Sequence, residues 1–201
     1  MSVRREKRKR IFLTGTCWYE LTGLWQLLSM LGHDVCRVSP GKCCTLDDCD
    51  LVIVALSAES VAGWGRYLPW ICELRERVSG QMLVLVPEGL RKLNVLRNVC
   101  PVYSGGENLQ QLSIYIDAVL SREALQTGSF SLTRTQRWAL KHFSEGDGGR
   151  DEPLNQPQNK PWLYRQYARL AEHVGVRNFR MLTLVGLDKE IIRMEKIQNI
   201  S

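Results

Sequence analysis

The chain has 201 residues, 44% of them hydrophobic, which is enough for two small domains that each bury a core. Its formal charge of +6 excludes a strongly acidic, solvating composition, and its apolar runs fall far short of the roughly 18 residues that span a bilayer. The charge is unevenly placed: six basic and one acidic side chain in residues 1–10 (net +5), nine and twelve in 11–130 (net −3), twelve and eight in 131–201 (net +4). Basic ends around an acidic middle fit a polyanionic partner, while a charged lead-in before a first strand is also the usual make-up of a solvated tail.

Residues 10–14 read as a short strand. Ile11-Phe12-Leu13 stops at Thr14-Gly15, short of the about 7 to 15 apolar residues of a secretory signal, so a cytoplasmic protein is expected. Leu21, Leu24, Trp25, Leu28 and Leu31 recur at helical spacing over 18–31, and Gly32 is the stop. A second strand is expected at 35–38, broken by Pro40-Gly41, and the β-branched run 51–56 reads as a strand buried on both faces of a parallel sheet. A helix over 61–78, delayed or kinked at Pro69, leads to a fourth strand at 82–86 that Pro87 ends. A short helix at 90–96, a weak fifth strand at 101–103, and a closing helix with the stripe Leu109, Leu112, Ile116, Val119 and Leu120 follow. Five strands alternating with helices make a doubly wound parallel sheet.

Seven cysteines (17, 36, 43, 44, 49, 72 and 100) lie in the first half, and an odd number argues against a disulfide framework. Cys36, Cys43, Cys44 and Cys49 lack the paired spacing with which two thiolates grip a tetrahedral ion, so buried or loop thiols are expected and no metal. Thr14-Gly15-Thr16 is neither a dinucleotide fingerprint nor a P-loop. His33, His142 and His173 are scattered. No catalytic set and no cofactor are therefore expected.

Residues 123–130 read as a linker. Leu132-Thr133 opens a helix carrying Trp138, Ala139, Leu140 and Phe143, stopped at Gly146. Residues 147–160, rich in Gly, Pro, Asn and Gln, look like loop. A helix over 162–174 is capped by Gly175, and 179–196 is helical with a possible bend at Gly186.

On these residues the chain resembles the LuxR/NarL-type response regulators, as an atypical, phosphorylation-independent member of the RcsA-like auxiliary kind. Leu132-Thr133 and Gly175-Val176-Arg177-Asn178 match the two ends of that family's helix-turn-helix, and the 28 residues 147–174 between Gly146 and Gly175 match its spacing. The resemblance implies a receiver-like α/β domain followed by a small all-α helix-turn-helix domain: a basic tail 1–8, a pseudo-receiver 9–122, a linker 123–130 and a DNA-binding domain 131–201. It also places Gly15, Thr16, Ala55, Val86-Pro87 and Ser104 or Gly105 where a receiver carries its acidic pair, phosphate acceptor, Ser/Thr and lysine. Phosphoryl transfer needs carboxylates to hold Mg²⁺ and to attack phosphorus, so no chemistry is expected there.

The same register makes Asn159 the N-cap and Pro161 a first-turn residue of the recognition helix, with Leu163, Leu170 and Val174 in the core. Lys160, Tyr164, Arg165, Gln166 and Arg169 are the implied DNA-binding residues, suited to phosphates and base edges. The scaffold helix before them is expected to be short, distorted or absent, because proline inside a helix costs ~3 kcal/mol and glycine about 1. The expected partners are DNA and a second subunit, in a homodimer or with a response regulator, and no membrane. The alternative is a protein-binding adaptor or antagonist with degraded DNA binding.

Overall fold

A computed structural model of the chain describes residues 8–39, 48–121, 130–144 and 160–198. Five strands, β1 (Arg10–Gly15), β2 (Asp34–Arg37), β3 (Leu51–Ala55), β4 (Gln81–Val86) and β5 (Val102–Ser104), form one sheet in the order β2-β1-β3-β4-β5. Every pairing is parallel. This is the receiver-like, doubly wound order whose switch point lies between β1 and β3. All five residues of β3 are buried, as are the last five of β4, which is why both strands are unbroken apolar runs rather than alternating ones.

Each sheet face has its own core. On one, Ile11, Leu13, Ile53, Leu83 and Leu85 meet Leu24 and Leu28 of α1 (Trp18–Met30) and Leu112, Ile116 and Val119 of α3 (Leu109–Leu120). On the other, Val52, Val54, Met82, Val84 and Val86 belong to a cluster with Leu68, Ile71 and Leu74 of α2 (Leu68–Arg77). The expected start of that helix is delayed, as Pro69 allows. A 3₁₀ turn, Trp64–Tyr67, precedes it, and Pro69 takes a first-turn position where its missing N–H costs nothing. Trp64 is fully buried, with its indole N–H donating to the Leu56 carbonyl at 3.4 Å.

Two apolar stripes are narrower than their periodicity predicts. Trp25 on α1, Leu31 at its C-cap and Leu109 on α3 lie on exposed surface, because each falls outside the arc that the sheet covers. The expected helix at 90–96 is absent. A 3₁₀ turn, Glu88–Leu90, is followed by irregular turns, and the Asn94 N–H donates to the Val174 carbonyl (2.8 Å) instead of to a carbonyl one turn back.

That connection is covered by four helices: α4 (Arg134–Ser144), α5 (Lys160–Val174), α6 (Phe179–Val185) and α7 (Leu187–Gln198). Thr133 and Gln136 form a reciprocal capping box at the start of α4, the Thr133 N–H donating to Gln136 Oε1 (2.9 Å) and the Gln136 N–H to Thr133 Oγ1 (3.3 Å). Gly175 (φ 87°) ends α5, and Gly186 (φ 79°) divides the expected 179–196 segment into two helices. Leu140, Leu170, Val174, Leu182, Val185 and Leu187 are buried in the same cluster as the second sheet face, together with Leu90, Leu93, Val95 and Leu96. The expected linker 123–130, apart from Phe130, and the stop at Gly146 lie outside the described residues. So does the loop at 147–159, which contains the scaffold segment and Asn159.

The junction is a backbone contact. A Cβ on Gly175 would sit 1.8 Å from the Lys92 carbonyl oxygen, on a left-handed backbone that disfavours side chains. Gly175→Ala is therefore expected to lower stability by about 2 kcal/mol or more in urea denaturation of the full chain. Gly23→Ala, in the interior of α1 with nothing within 4 Å of its Cβ position, should raise it by roughly 0.5–1 kcal/mol.

Candidate functional site

Ligands bind at the carboxyl edge of a doubly wound sheet because the strand ends and the loops that follow them converge there. Here β1 ends at Gly15, directly paired with Ala55 of β3. A Cβ on Gly15 would lie 2.3 Å from the Ala55 carbonyl oxygen, so this corner has no room for an acidic side chain on β1. Glutamates from neighbouring segments satisfy the donors at this edge. Glu20 of α1 accepts from the Ser57 hydroxyl (2.5 Å), the Ser57 N–H (3.2 Å) and the Ala58 N–H (3.3 Å). It thereby occupies the donors that an external anion would use.

Glu59 accepts from the Thr16 hydroxyl, from the Tyr67 hydroxyl (2.7 Å) and from Arg66 (3.3 Å). Glu88 accepts from the Ser104 hydroxyl (2.5 Å) and pairs with Arg91 (2.9 Å). Among the described residues no three His, Cys, Asp or Glu side chains are placed to hold a metal ion. Burial pushes the Cys49, Cys72 and Cys100 thiols above the ordinary thiol range, opposite to what a reactive thiolate requires. Cys43 and Cys44 lie outside the described residues.

The expected DNA-binding residues are divided by α5. Leu170, Ala171 and Val174 anchor the helix in the core, and Gln166, at 8% exposure, sits on that anchored side. Gln166 therefore does not share a surface with Arg165 and Arg169, which are exposed along with Tyr164 (69%). Four residues make slightly more than one turn, so Arg165 and Arg169 form one stripe, and Tyr164, Ala168 and Glu172 form the stripe about 100° beside it. Lys160 is the first residue of the helix. Pro161 takes the first-turn place expected of it, and Leu163 is only half-buried.

The Tyr164 stripe faces a cleft of about 1400 Å³ between α5, the start of α6 and the irregular connection 88–97. Arg91, Lys92, Arg97, Arg177 and Arg180 line it against Glu88 and Glu172, and Phe143, Tyr167 and Phe179 supply an aromatic wall. The rings pack on one another: Tyr167 stacks on Phe179 (4.5 Å) and Phe143 meets Phe179 edge-on (4.4 Å). Sequence reading misses this cleft because the apolar spacing over 90–96 suits a helix. The available signal is the basic trio Arg91, Lys92 and Arg97 in a segment opened by Pro87-Glu88-Gly89.

A separate surface lies on α1. Trp18 (66% exposed), Tyr19, Trp25, Met30 and Leu31 are exposed there, and the Arg37 guanidinium sits over the Trp18 ring (4.4 Å) and near Trp25 (5.9 Å). Among the described residues no helix is long and apolar enough to cross a membrane.

No protein-family model matches the chain, and no curated protein matches it. Among solved structures, the crystal structure of the response regulator ChrA in a heme-sensing two-component system is similar, with 13% identity and a TM-score of 0.42. The likeness covers 91% of this chain and 98% of that one.

Two outcomes follow from the edge geometry. Incubation with acetyl phosphate and Mg²⁺ should leave the mass of the protein unchanged, and an aspartyl phosphate found by mass spectrometry would refute this. Hydrogen bonds from Thr16 and Tyr67, with Arg66 adding its charge, hold the Glu59 carboxyl below its usual 4.5 against the opposing effect of burial. A carboxyl depressed on folding contributes stability that is present above its unfolded pKa and lost as pH falls through the folded one. The stability gap between wild type and Glu59→Gln should therefore be full at pH values well above 4.5 and shrink on acidification below it, as read by urea midpoints across a pH series.

Proposed function

We propose that this protein is a phosphorylation-independent, DNA-binding transcription regulator of the LuxR/NarL kind, working as a homodimer or with a response-regulator partner. The observation that carries this reading is α5. It is a 15-residue helix anchored along one side by Gln166, Leu170, Ala171 and Val174, with Tyr164, Arg165 and Arg169 free to enter a groove on the other. A guanidinium suits both roles, since it pairs with phosphate oxygens and reads guanine bidentately. Lys160, at the start of the same helix, is assigned with them to phosphate. Gln166 is assigned to anchoring. The pseudo-receiver at 9–122 acts as a fixed platform, because its edge donors are held by Glu20, Glu59 and Glu88, and the helices at 131–201 carry the DNA contact.

A second reading, a protein-binding adaptor or antagonist, is favoured by the aromatic surface of α1. Exposed aromatic side chains such as Trp18 and Trp25, which share one face of the helix, commonly mark a protein partner. The same patch serves subunit pairing under the first reading.

DNA affinity of the full chain, with and without candidate response regulators, over a salt series separates the two. Replacing Arg165 and Arg169 by alanine should weaken binding and reduce the log-log salt slope by about 0.9 for each phosphate that is no longer neutralised. If one of them reads guanine, its removal should cost about 1–3 kcal/mol and relax preference at one base pair. Leu170→Ala, fully buried, is the structural control and should cost about 2–5 kcal/mol of folding stability. A folded double-arginine variant that regulates its promoter like wild type would reject the groove assignment and favour the adaptor.

A further inference from the structure

We infer that the cleft between the 88–97 connection and α5–α6 binds a ring-bearing organic polyphosphate, a ligand of the nucleoside polyphosphate class. The inference shares only Tyr164 with the DNA reading, since its cations come from the cleft and not from the α5 stripe that carries Arg165 and Arg169.

Charge is the first argument. Five basic side chains face two acidic ones across the cleft. Glu88 is already engaged, accepting from Ser104 and pairing with Arg91, which leaves Lys92, Arg97, Arg177 and Arg180 opposite Glu172. Among the described residues none of these four cations makes an ion pair, and all are exposed. Like charges held together around a concave surface repel one another and attract an oligoanion. They come from both walls, Lys92 and Arg97 from the connection and Arg177 and Arg180 from the turn into α6, so one ligand with several phosphates can engage both.

The second argument is the aromatic wall. Phe143, Tyr167 and Phe179 brace one another, while Tyr164 packs edge-on to Tyr167 at 6.5 Å and remains mostly exposed. A braced ring with a free face is a stacking platform for a planar base. The third argument is that the walls are fixed. The Asn94 N–H donates to the Val174 carbonyl (2.8 Å), Asn94 Nδ2 donates to the His173 carbonyl (3.0 Å), and Gly175 abuts the Lys92 backbone. The backbones that bear the cations are thus placed before any ligand arrives, so that binding has to order only their side chains. At about 1400 Å³ the cleft exceeds the roughly 300–1,000 Å³ of a common small-molecule pocket, which fits an extended ligand rather than free phosphate.

The test titrates the full chain with N-methylanthraniloyl-ATP, read by fluorescence anisotropy, with unlabelled ATP, tripolyphosphate and a short duplex oligonucleotide as competitors. Saturable binding is expected, with ATP displacing the probe better than tripolyphosphate. Arg97→Ala combined with Arg180→Ala should weaken binding by about tenfold for each arginine. Tyr164→Ala should erase the advantage of ATP over tripolyphosphate. If the double variant lowers the thermal transition, Lys92→Glu carries the same test from the connection side. The Arg165→Ala/Arg169→Ala variant should keep nucleotide affinity whatever it does to DNA, so failure of one reading is distinct from failure of the other. Four results would each overturn the proposal: no saturable binding, unchanged affinity in the arginine variant, tripolyphosphate equal to ATP on wild type, or displacement by duplex as efficient as by ATP.

Discussion

The architecture depends on how the backbone between β4 and β5 finds partners without forming a helix. A parallel crossover normally covers its sheet face with an α-helix, whereas residues 87–101 form a 3₁₀ turn and irregular turns, with local amide bonds such as Leu93 to Leu90 and Arg97 to Asn94. Leu90, Leu93, Val95 and Leu96 turn inward, and the Asn94 amide and side chain reach across to the end of α5. The helices α4 to α7 thus stand where that crossover helix would be expected. A second tie, from the Gly63 N–H to the Leu184 carbonyl (2.8 Å), joins the 3₁₀ turn before α2 to α6. The hydrophobic cluster on this side consequently runs without a break from the sheet face to Ile191.

That arrangement separates what sequence pattern can convey from what it cannot. The strands were legible because β3 and β4 are buried on both faces, so Val52-Ile53-Val54 and Leu83-Val84-Leu85 had to be apolar throughout. Helix ends were legible where chemistry is local, as at Thr133, Gly175 and Gly186. The connection 88–101 was not, since the spacing of Leu90, Leu93 and Leu96 suits a helix and the deciding hydrogen bond comes from Val174, some eighty residues on. Trp25, Leu31 and Leu109 show the converse. Apolar residues at helical spacing mark the side of a helix, and only tertiary placement decides how wide an arc is covered.

The candidate site was half legible for the same reason. Helix register alone puts Arg165 and Arg169 on an outer face, and they lie on exposed surface. Gln166 follows Arg165 by one residue and turns into the core beside Leu170, a distinction that depends on where α4, α6 and the connection sit. Lys92, Arg97, Arg177 and Arg180 are distant in sequence and meet only because the C-terminal helices dock on 88–97.

Electrostatics gives the two ends of the molecule opposite characters. At the sheet edge, hydroxyls, backbone amides and Arg66 and Arg91 are matched by Glu20, Glu59 and Glu88, so little uncompensated potential remains to draw an anion. Around α5 the balance is reversed: among the described residues neither Arg165 and Arg169 on its outer stripe nor Lys92, Arg97, Arg177 and Arg180 around the cleft beside it make an ion pair. A single helix therefore presents one face to the cleft and the next to solvent, and it is clamped at its C-terminal end by Gly175.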